Sequence, residues 1–261
     1  MGMVVPAHVT PAHTGARRPT ARRGLRTVAL VGIDGSGKTT QAHVLADQLA
    51  AAGLPATYRR NAGGRRWFGR LAGTLGHQNG DDLLGRRLML VVESLLRWLA
   101  ILRTLLRRSV TREIAIMDRY AVCQYASLRA HGARPAAERR ARLAYRLFPK
   151  PDITFLLAVD PAIAYARIES RGYDHEEMSY LRAATAAYRS LPEYGDFVVI
   201  DANGTPAEVN AAIHAHLPAV VPAARLSRVP AVLTGSRTLI LAFGSLVAGV
   251  TALGYQLVEA L

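Results

Sequence analysis

Between residues 26 and 217, short apolar runs alternate with segments whose apolar residues recur every three or four positions. Arg26 to Val31 (RTVALV) is apolar and β-branched at consecutive positions, the pattern of a strand buried on both faces. A Gly-rich turn follows, and Lys38 to Ala52 has helical spacing. Pro55 to Arg59 reads as a second strand, Asn61 to Gly80 as a loop with six glycines, and Leu83 to Leu106 as a long apolar helix carrying Glu93, Arg97 and Arg103. Glu113 to Met117 (EIAIM) predicts a third strand closed by Asp118, followed by helices over Ala121 to His131 and Pro135 to Leu147. A fourth strand is expected over Asp152 to Val159 (DITFLLAV) and a fifth over Phe197 to Ile200 (FVVI). Helices are expected between them, over Ala162 to Arg171 and Asp174 to Ser190, and a last one over Pro206 to His216. Strands alternating with helices in this way predict βαβ units, and hence an α/β fold with a five-stranded parallel sheet covered on both faces.

The pattern breaks at both ends. Residues 1–25 have no helical or strand period, and Pro6, Pro11 and Pro19 interrupt them. No continuous apolar stretch is present there, which excludes a secretory signal. The segment reads as a flexible basic arm or as residues upstream of the true start. After Leu217, Pro218, Pro222 and Pro230 mark a linker over 218–237. Thr238 to Val258 then runs 21 residues without a charge. As a helix it spans about 32 Å, which matches a bilayer core. Arg225, Arg228 and Arg237 precede it and three residues follow, so the run predicts a membrane anchor. The α/β domain would then lie on the cytoplasmic side, at the inner face of the plasma membrane. The same run also suits an apolar helix docked on the domain or on a second subunit, because Gly244, Gly249 and Gly254 allow close packing in either setting.

Composition narrows this picture. A chain of 261 residues, half of them apolar, needs only one sizeable α/β domain. The net charge of +14 invites a nucleic-acid partner. However, only two of the 33 basic side chains are lysine, Lys38 and Lys150, and Arg17, Arg18, Arg22, Arg23 and Arg26 crowd the start. That distribution fits a coding bias better than a binding footprint, and no nucleic-acid partner is expected. Cys123, the one cysteine, excludes an intrachain disulfide and fits a reducing compartment.

The chemistry concentrates in Gly32-Ile33-Asp34-Gly35-Ser36-Gly37-Lys38-Thr39, which fits G-x-x-x-x-G-K-[ST] between an expected strand and an expected helix. Glycines let successive backbone N–H groups turn inward, and the helix start adds its positive dipole end. Gly32, Asp34, Gly35, Ser36, Gly37, Lys38, Thr39 and Thr40 are therefore candidate contacts to ATP or a related nucleotide. Lys38 would neutralise the β- and γ-phosphates, and the Thr39 hydroxyl would bind Mg²⁺. Asp118, at the carboxyl end of a parallel strand, faces the crevice where such sheets bind ligands. There it can hold Mg²⁺ through water or assist proton transfer, while Arg119 can clamp a second phosphate. Asp118 and Arg119 also suit a solvated pair at a strand end.

These stretches together resemble the thymidylate kinase family, the P-loop enzymes that phosphorylate dTMP. The matching runs are VALVGIDGSGKTTQAHVLADQLAAAG, IAIMDRY, FPKPDITFLLAVDPAIAYARIESRG and VVIDANGTPAEV, across roughly residues 26–217. The resemblance implies a three-layer P-loop kinase fold, a homodimer, and Mg²⁺-dependent transfer of the ATP γ-phosphoryl group to a nucleoside monophosphate, dTMP to dTDP. It places Asp34 near the acceptor sugar and Mg²⁺, Arg119 on the acceptor phosphate, and Arg59 or Arg60 as a further phosphate-binding arginine. Arg167 and Arg171 lead into a lid-like run (RGYDHEE), where members without an arginine in the P-loop place their catalytic one. Both also suit an exposed helix end. Tyr173, Glu176, Glu177 and Tyr180 are ordinary for a lid and receive no role.

Two departures concern the acceptor. Arg59-Arg60-Asn61-Ala62-Gly63-Gly64 stands where the family has an Arg-Glu-Pro-Gly-Gly-like run. Arg97 matches the base-reading arginine, but Glu93 occupies the position, four residues earlier, of a Phe or Tyr that stacks on thymine. A carboxylate offers no π-face. Tyr120 and Trp98 are the candidates to replace the ring, and Gln124 stands where relatives have a small polar residue near the base. Glu93 and Arg97, one helical turn apart, equally suit a simple ion pair. The alternatives to a dTMP kinase are a kinase for another small acceptor and a membrane-tethered ATP-binding module without turnover.

Overall fold

A computed structural model describes residues 24–62, 85–172 and 176–217. The strands are β1 (Thr27–Val31), β2 (Ala56–Arg60), β3 (Ile114–Asp118), β4 (Ile153–Ala158) and β5 (Val198–Asp201). Between and after them come α1 (Lys38–Ala51), α2 (Arg86–Thr111), α3 (Ala121–Ala130), α4 (Pro135–Tyr145), α5 (Pro161–Glu169), α6 (Met178–Ser190) and α7 (Pro206–Ala215). All five strands are parallel, in the order β2-β3-β1-β4-β5. The chain leaves β1 for one edge, returns through β3, and then continues to the other side through β4 and β5. Crevices in such sheets open beyond the carboxyl ends of the central strands, which here are β1 and β3.

The apolar runs explain the layering. Every residue of β1 and β3 is buried, so both faces of the sheet are covered. The edge strands β2 and β5 stay partly exposed. α1 packs against α7, and α3 gathers α2, α4 and α6 into a second group. Local signals start several helices: the Asp160 side chain accepts the Ala162 N–H at 2.7 Å ahead of α5, and Thr205 and Glu208 form a capping box at α7.

Several boundaries differ from the pattern-based expectation, each for a local reason. β2 starts one residue late because Pro55 has no N–H to give the ladder; its carbonyl accepts from Ile114 N–H instead. α2 continues five residues past Leu106, and in this stretch the Ser109 and Thr111 hydroxyls bond back to the carbonyls of Leu105 and Arg107 rather than leaving the helix. It stops at Arg112, which is left-handed at φ 56°. A short 3₁₀ turn, Pro192–Asp196, fills what reads as plain loop and delays β5 by one residue. The arm at 1–23, the glycine-rich segment from Gly63 onward, the linker and the uncharged run at 238–258 lie outside the described residues. Among the described residues no helix is long and apolar enough to cross a membrane.

α5 is pinned on two sides. Arg167 donates to the carbonyls of Ala202, Asn203 and Gly204 at 2.8–3.0 Å, tying α5 to the loop after β5. Gly35, at φ 79°, lies so close that an added Cβ would sit 2.5 Å from the Ala164 carbonyl oxygen. Gly35→Ala is therefore expected to lower stability by about 2–4 kcal/mol, through left-handed strain plus overpacking. Urea unfolding checks this; a loss within about 0.5 kcal/mol, the range of an ordinary surface change, would contradict the close packing.

Candidate active site

The turn after β1 and the start of α1 form the cradle. Gly32, Gly35 and Gly37 take φ values of 142°, 79° and 89°, which bend the loop around its own amides. α1 begins at Lys38 with no side-chain cap and no acidic residue in its first turn. Its first N–H groups and its dipole are thus left for an anion. Lys38 is 4% exposed; its ammonium group donates to the Ile33 carbonyl and the Ser36 hydroxyl and lies 3.7 Å from Asp34. Burial, and then the Arg119 charge, push the Lys38 pKa down, against the pull of Asp34 and Asp118. The local carboxylates do not offset the burial of this cation.

Beside the cradle, Asp118 closes β3, paired in register with Leu30 on one side and Arg60 on the other. Its Oδ2 accepts from the Thr39 hydroxyl at 2.6 Å and the Tyr58 hydroxyl at 3.2 Å. Its Oδ1 is buried with no hydrogen-bond partner among the described residues. A bare carboxylate oxygen next to a Thr hydroxyl at the cradle mouth is a donor set that fits Mg²⁺. Tyr58, pushed up to about 12 by burial and the Asp118 charge, stays a neutral donor. His43 stacks on it at 3.7 Å.

Strand alternation separates the two arginines of β2. Tyr58 and Arg60 share one face; Tyr58 reaches Asp118 and Arg60 lines the cavity. Arg59 points the other way and pairs with Glu113, which also accepts from Thr57 at 2.9 Å. Arg119, the next residue after β3, pairs with Asp34, whose charge raises its pKa well above the usual arginine value. Asp34 therefore stands between Lys38 and Arg119 and touches both.

A cavity of about 930 Å³ runs from the cradle, past Asp118 and Arg119, to a far end walled by α2, α3 and α6. α2 contributes Glu93, Arg97 and Arg103, and α3 contributes Cys123 and Ser127. Arg97, 2% exposed, donates to Glu93 at 2.6 Å and to the Gln124 side-chain oxygen at 2.6 Å. The ion pair and the place on the cavity wall thus coexist. Burial is the strongest single influence on Arg97 and opposes its charge, but Glu93 together with weaker neighbours raises the pKa overall. Gln124 is fully buried behind Arg97 rather than on the wall.

Of the two lid-side arginines, Arg171 lines the cavity, while Arg167 is engaged with the carbonyls after β5. Neither proposed aromatic substitute is on the wall. The Tyr120 hydroxyl binds the Pro149 carbonyl, and Trp98 packs on Phe148 and donates to the Ala144 carbonyl. Among the described residues, the rings that line the cavity are Tyr180 and Tyr188, on α6. Burial raises the Tyr188 pKa well above 10, and its hydroxyl lies 3.3 Å from the Gly32 carbonyl. Tyr180, Ala184 and Tyr188 share one stripe at a spacing of four, a signal readable in principle from sequence. Tyr58 gives no such signal beyond strand alternation.

Comparison with known proteins agrees with this geometry. The family model for thymidylate kinase matches residues 30–213. The chain is 31% identical to a probable thymidylate kinase of Pyrobaculum aerophilum, over 70% of this chain and 92% of the relative. It is 30% identical to the thymidylate kinase of Bordetella petrii, over 75% and 96%, and 31% identical to that of Leifsonia xyli, over 76% and 97%. The cradle, the Asp118–Arg119 strand end and the loop after β5 all fall inside the matched region, and the chain belongs to the thymidylate kinase family.

Proposed function

We propose that the protein is a Mg²⁺-dependent kinase that transfers the γ-phosphoryl group of ATP to dTMP, giving dTDP and ADP. The observation that carries this reading is a buried Lys38 in the glycine cradle at one end of a cavity that continues past Arg60 and Arg119 to Arg97. Two polyanions fit such a space end to end.

The roles follow from charge. Loop amides and Lys38 hold the β- and γ-phosphates. Asp118, through its bare oxygen, and Thr39 would hold Mg²⁺, which when bound neutralises charge between those phosphates. Arg60 and Arg119 hold the acceptor phosphate. An acceptor phosphate oxygen attacks the γ-phosphorus, the bond to the β–γ bridging oxygen breaks, and ADP leaves with that electron pair. The acceptor oxygen is already anionic at neutral pH, because the second phosphate pKa is about 6, so no general base is needed. The protein's task is to bring like charges together, and Arg171, which lines the cavity on the lid side, is placed to stabilise the transferring group. At the far end Arg97 offers guanidinium hydrogens to a base, held in plane by Glu93 and Gln124.

Homodimerisation is part of the same proposal. α2 exposes Leu88, Val91, Leu95, Leu106 and Val110, from 43% to 78%, along a helix whose other side is buried. A second copy of the chain is the occupant expected for this stripe. Leu95→Glu should shift the mass in analytical ultracentrifugation from two chains to one; a wild-type monomer would contradict the proposal.

A coupled assay over a panel of nucleoside monophosphates should give the highest kcat/KM with dTMP. Lys38→Ala should lower it by about 10²- to 10³-fold or more. Turnover with none of the panel would sink the reading. Glu93 favours a second version, a kinase for another small acceptor, which a wider metabolite panel would reveal as ADP release without dTMP. Arg171→Ala should reduce kcat about 10²- to 10³-fold with an unchanged melting temperature. Arg167→Ala should do the reverse, lowering the melting temperature while kcat stays within about twofold, since three carbonyls lose their donor. The opposite pattern would reassign the lid arginine.

A further inference from the structure

Arg119 sits in a backbone conformation that needs support. Its φ of 80° is left-handed, a region that costs a residue with a Cβ about 1–2 kcal/mol. That turn points the guanidinium at Asp34 while Asp118 stays beside Thr39. Arg119 N–H anchors to the Leu30 carbonyl at 3.1 Å. The other anchors both come from Asn61. Its backbone N–H donates to the Asp118 carbonyl at 3.0 Å, and its side-chain amide donates to the Arg119 carbonyl at 3.0 Å. Asn61 therefore grips two successive carbonyls around the strained residue.

The amide is itself oriented. Thr104, on α2, donates its hydroxyl to Asn61 Oδ1 at 3.0 Å, which leaves Nδ2 facing the Arg119 carbonyl. Asn61 and Thr104 are 0% and 2% exposed, and neither is on the cavity wall. An ionised carboxylate at position 61 would have no hydrogen to give that carbonyl, whereas an amide supplies one donor and one acceptor. The chain segments that meet here are 43 and 58 residues apart, so this contact is not a local turn.

We propose that Asn61, oriented by Thr104, is a positioning residue that holds Arg119 in its left-handed conformation and so aims its guanidinium at the acceptor phosphate. The kinetic part rests on the kinase reading; the conformational part does not. Asn61→Ala and Asn61→Asp should raise KM for dTMP about 10- to 100-fold and lower kcat. The Kd for ATP should stay within about twofold, since the Asn61 and Thr104 side chains bond to Arg119 and to each other rather than to the loop amides or Lys38. Thr104→Val should show the same split more weakly, and Thr104→Ser, which keeps the hydroxyl, should restore wild-type values. In an Arg119→Ala background Asn61→Ala should add nothing further, because its effect passes through Arg119.

A crystal structure of Asn61→Ala gives the readout independent of activity: residue 119 should leave the left-handed region and lose Asp34. Should wild-type protein fail to turn over dTMP, the kinase reading falls and the crystallographic result alone decides the conformational claim. If Asn61→Ala does not fold, Thr104→Val carries both measurements. Equal losses with and without Arg119, a parallel loss of ATP affinity, or an unchanged residue 119 would each overturn the proposal.

Discussion

An ammonium group placed out of water without enough negative charge around it is the constraint on which the site depends. Lys38 is 4% exposed, and burial dominates over Asp34 and Asp118 in setting its pKa. With its folded pKa below its unfolded one, the charge works against the nucleotide-free fold, and that penalty shrinks as pH rises through the folded value. A polyphosphate removes the deficit by supplying the missing charge. The left-handed glycines and the uncapped helix start belong to the same arrangement, since each leaves positive potential pointing at one place.

The second half of the site solves a different problem, which is to hold several cations in one cavity before substrates arrive. Asp34 bridges Lys38 and Arg119, and Glu93 holds Arg97. These carboxylates keep the arginines pointing inward without filling the space between them. A buried pair such as Glu93–Arg97 adds little stability relative to apolar packing, but removing one partner leaves a stranded charge, typically about 3–5 kcal/mol. Glu93 can thus shape the far wall through Arg97 as well as by its own contact with a ligand. No aromatic ring stands at position 93, and Tyr180 and Tyr188 line the same cavity from α6.

Much of this was legible in the amino-acid order. Buried parallel strands show as uninterrupted apolar runs, and the phosphate loop lies between one of them and a helix, so the sheet and the cradle could be read directly. Side-chain direction was less accessible. Arg59 and Arg60 separate only once β2 is known to run to Arg60 itself, which puts Arg60 with Tyr58 and Arg59 with Glu113. Arg167 and Arg171 are equivalent in pattern, yet the carbonyls after β5 claim the first. Tyr120 and Trp98 were reasonable substitutes for a missing ring, but each has a distant carbonyl as its partner. The Asn61–Thr104–Arg119 contact joins three separate elements, and no periodicity encodes it.

The two lysines make the central claim directly measurable. In a sample labelled at lysine, only Lys38 and Lys150 give side-chain signals, and Lys150 is 83% exposed, which tells the two apart. The measurement is the NMR titration of the Lys38 side chain with and without MgATP. The account predicts a Lys38 pKa below the usual lysine range in the free protein and a clear rise when the nucleotide binds. A free-protein value in the usual range, or one that MgATP leaves unmoved, would contradict it.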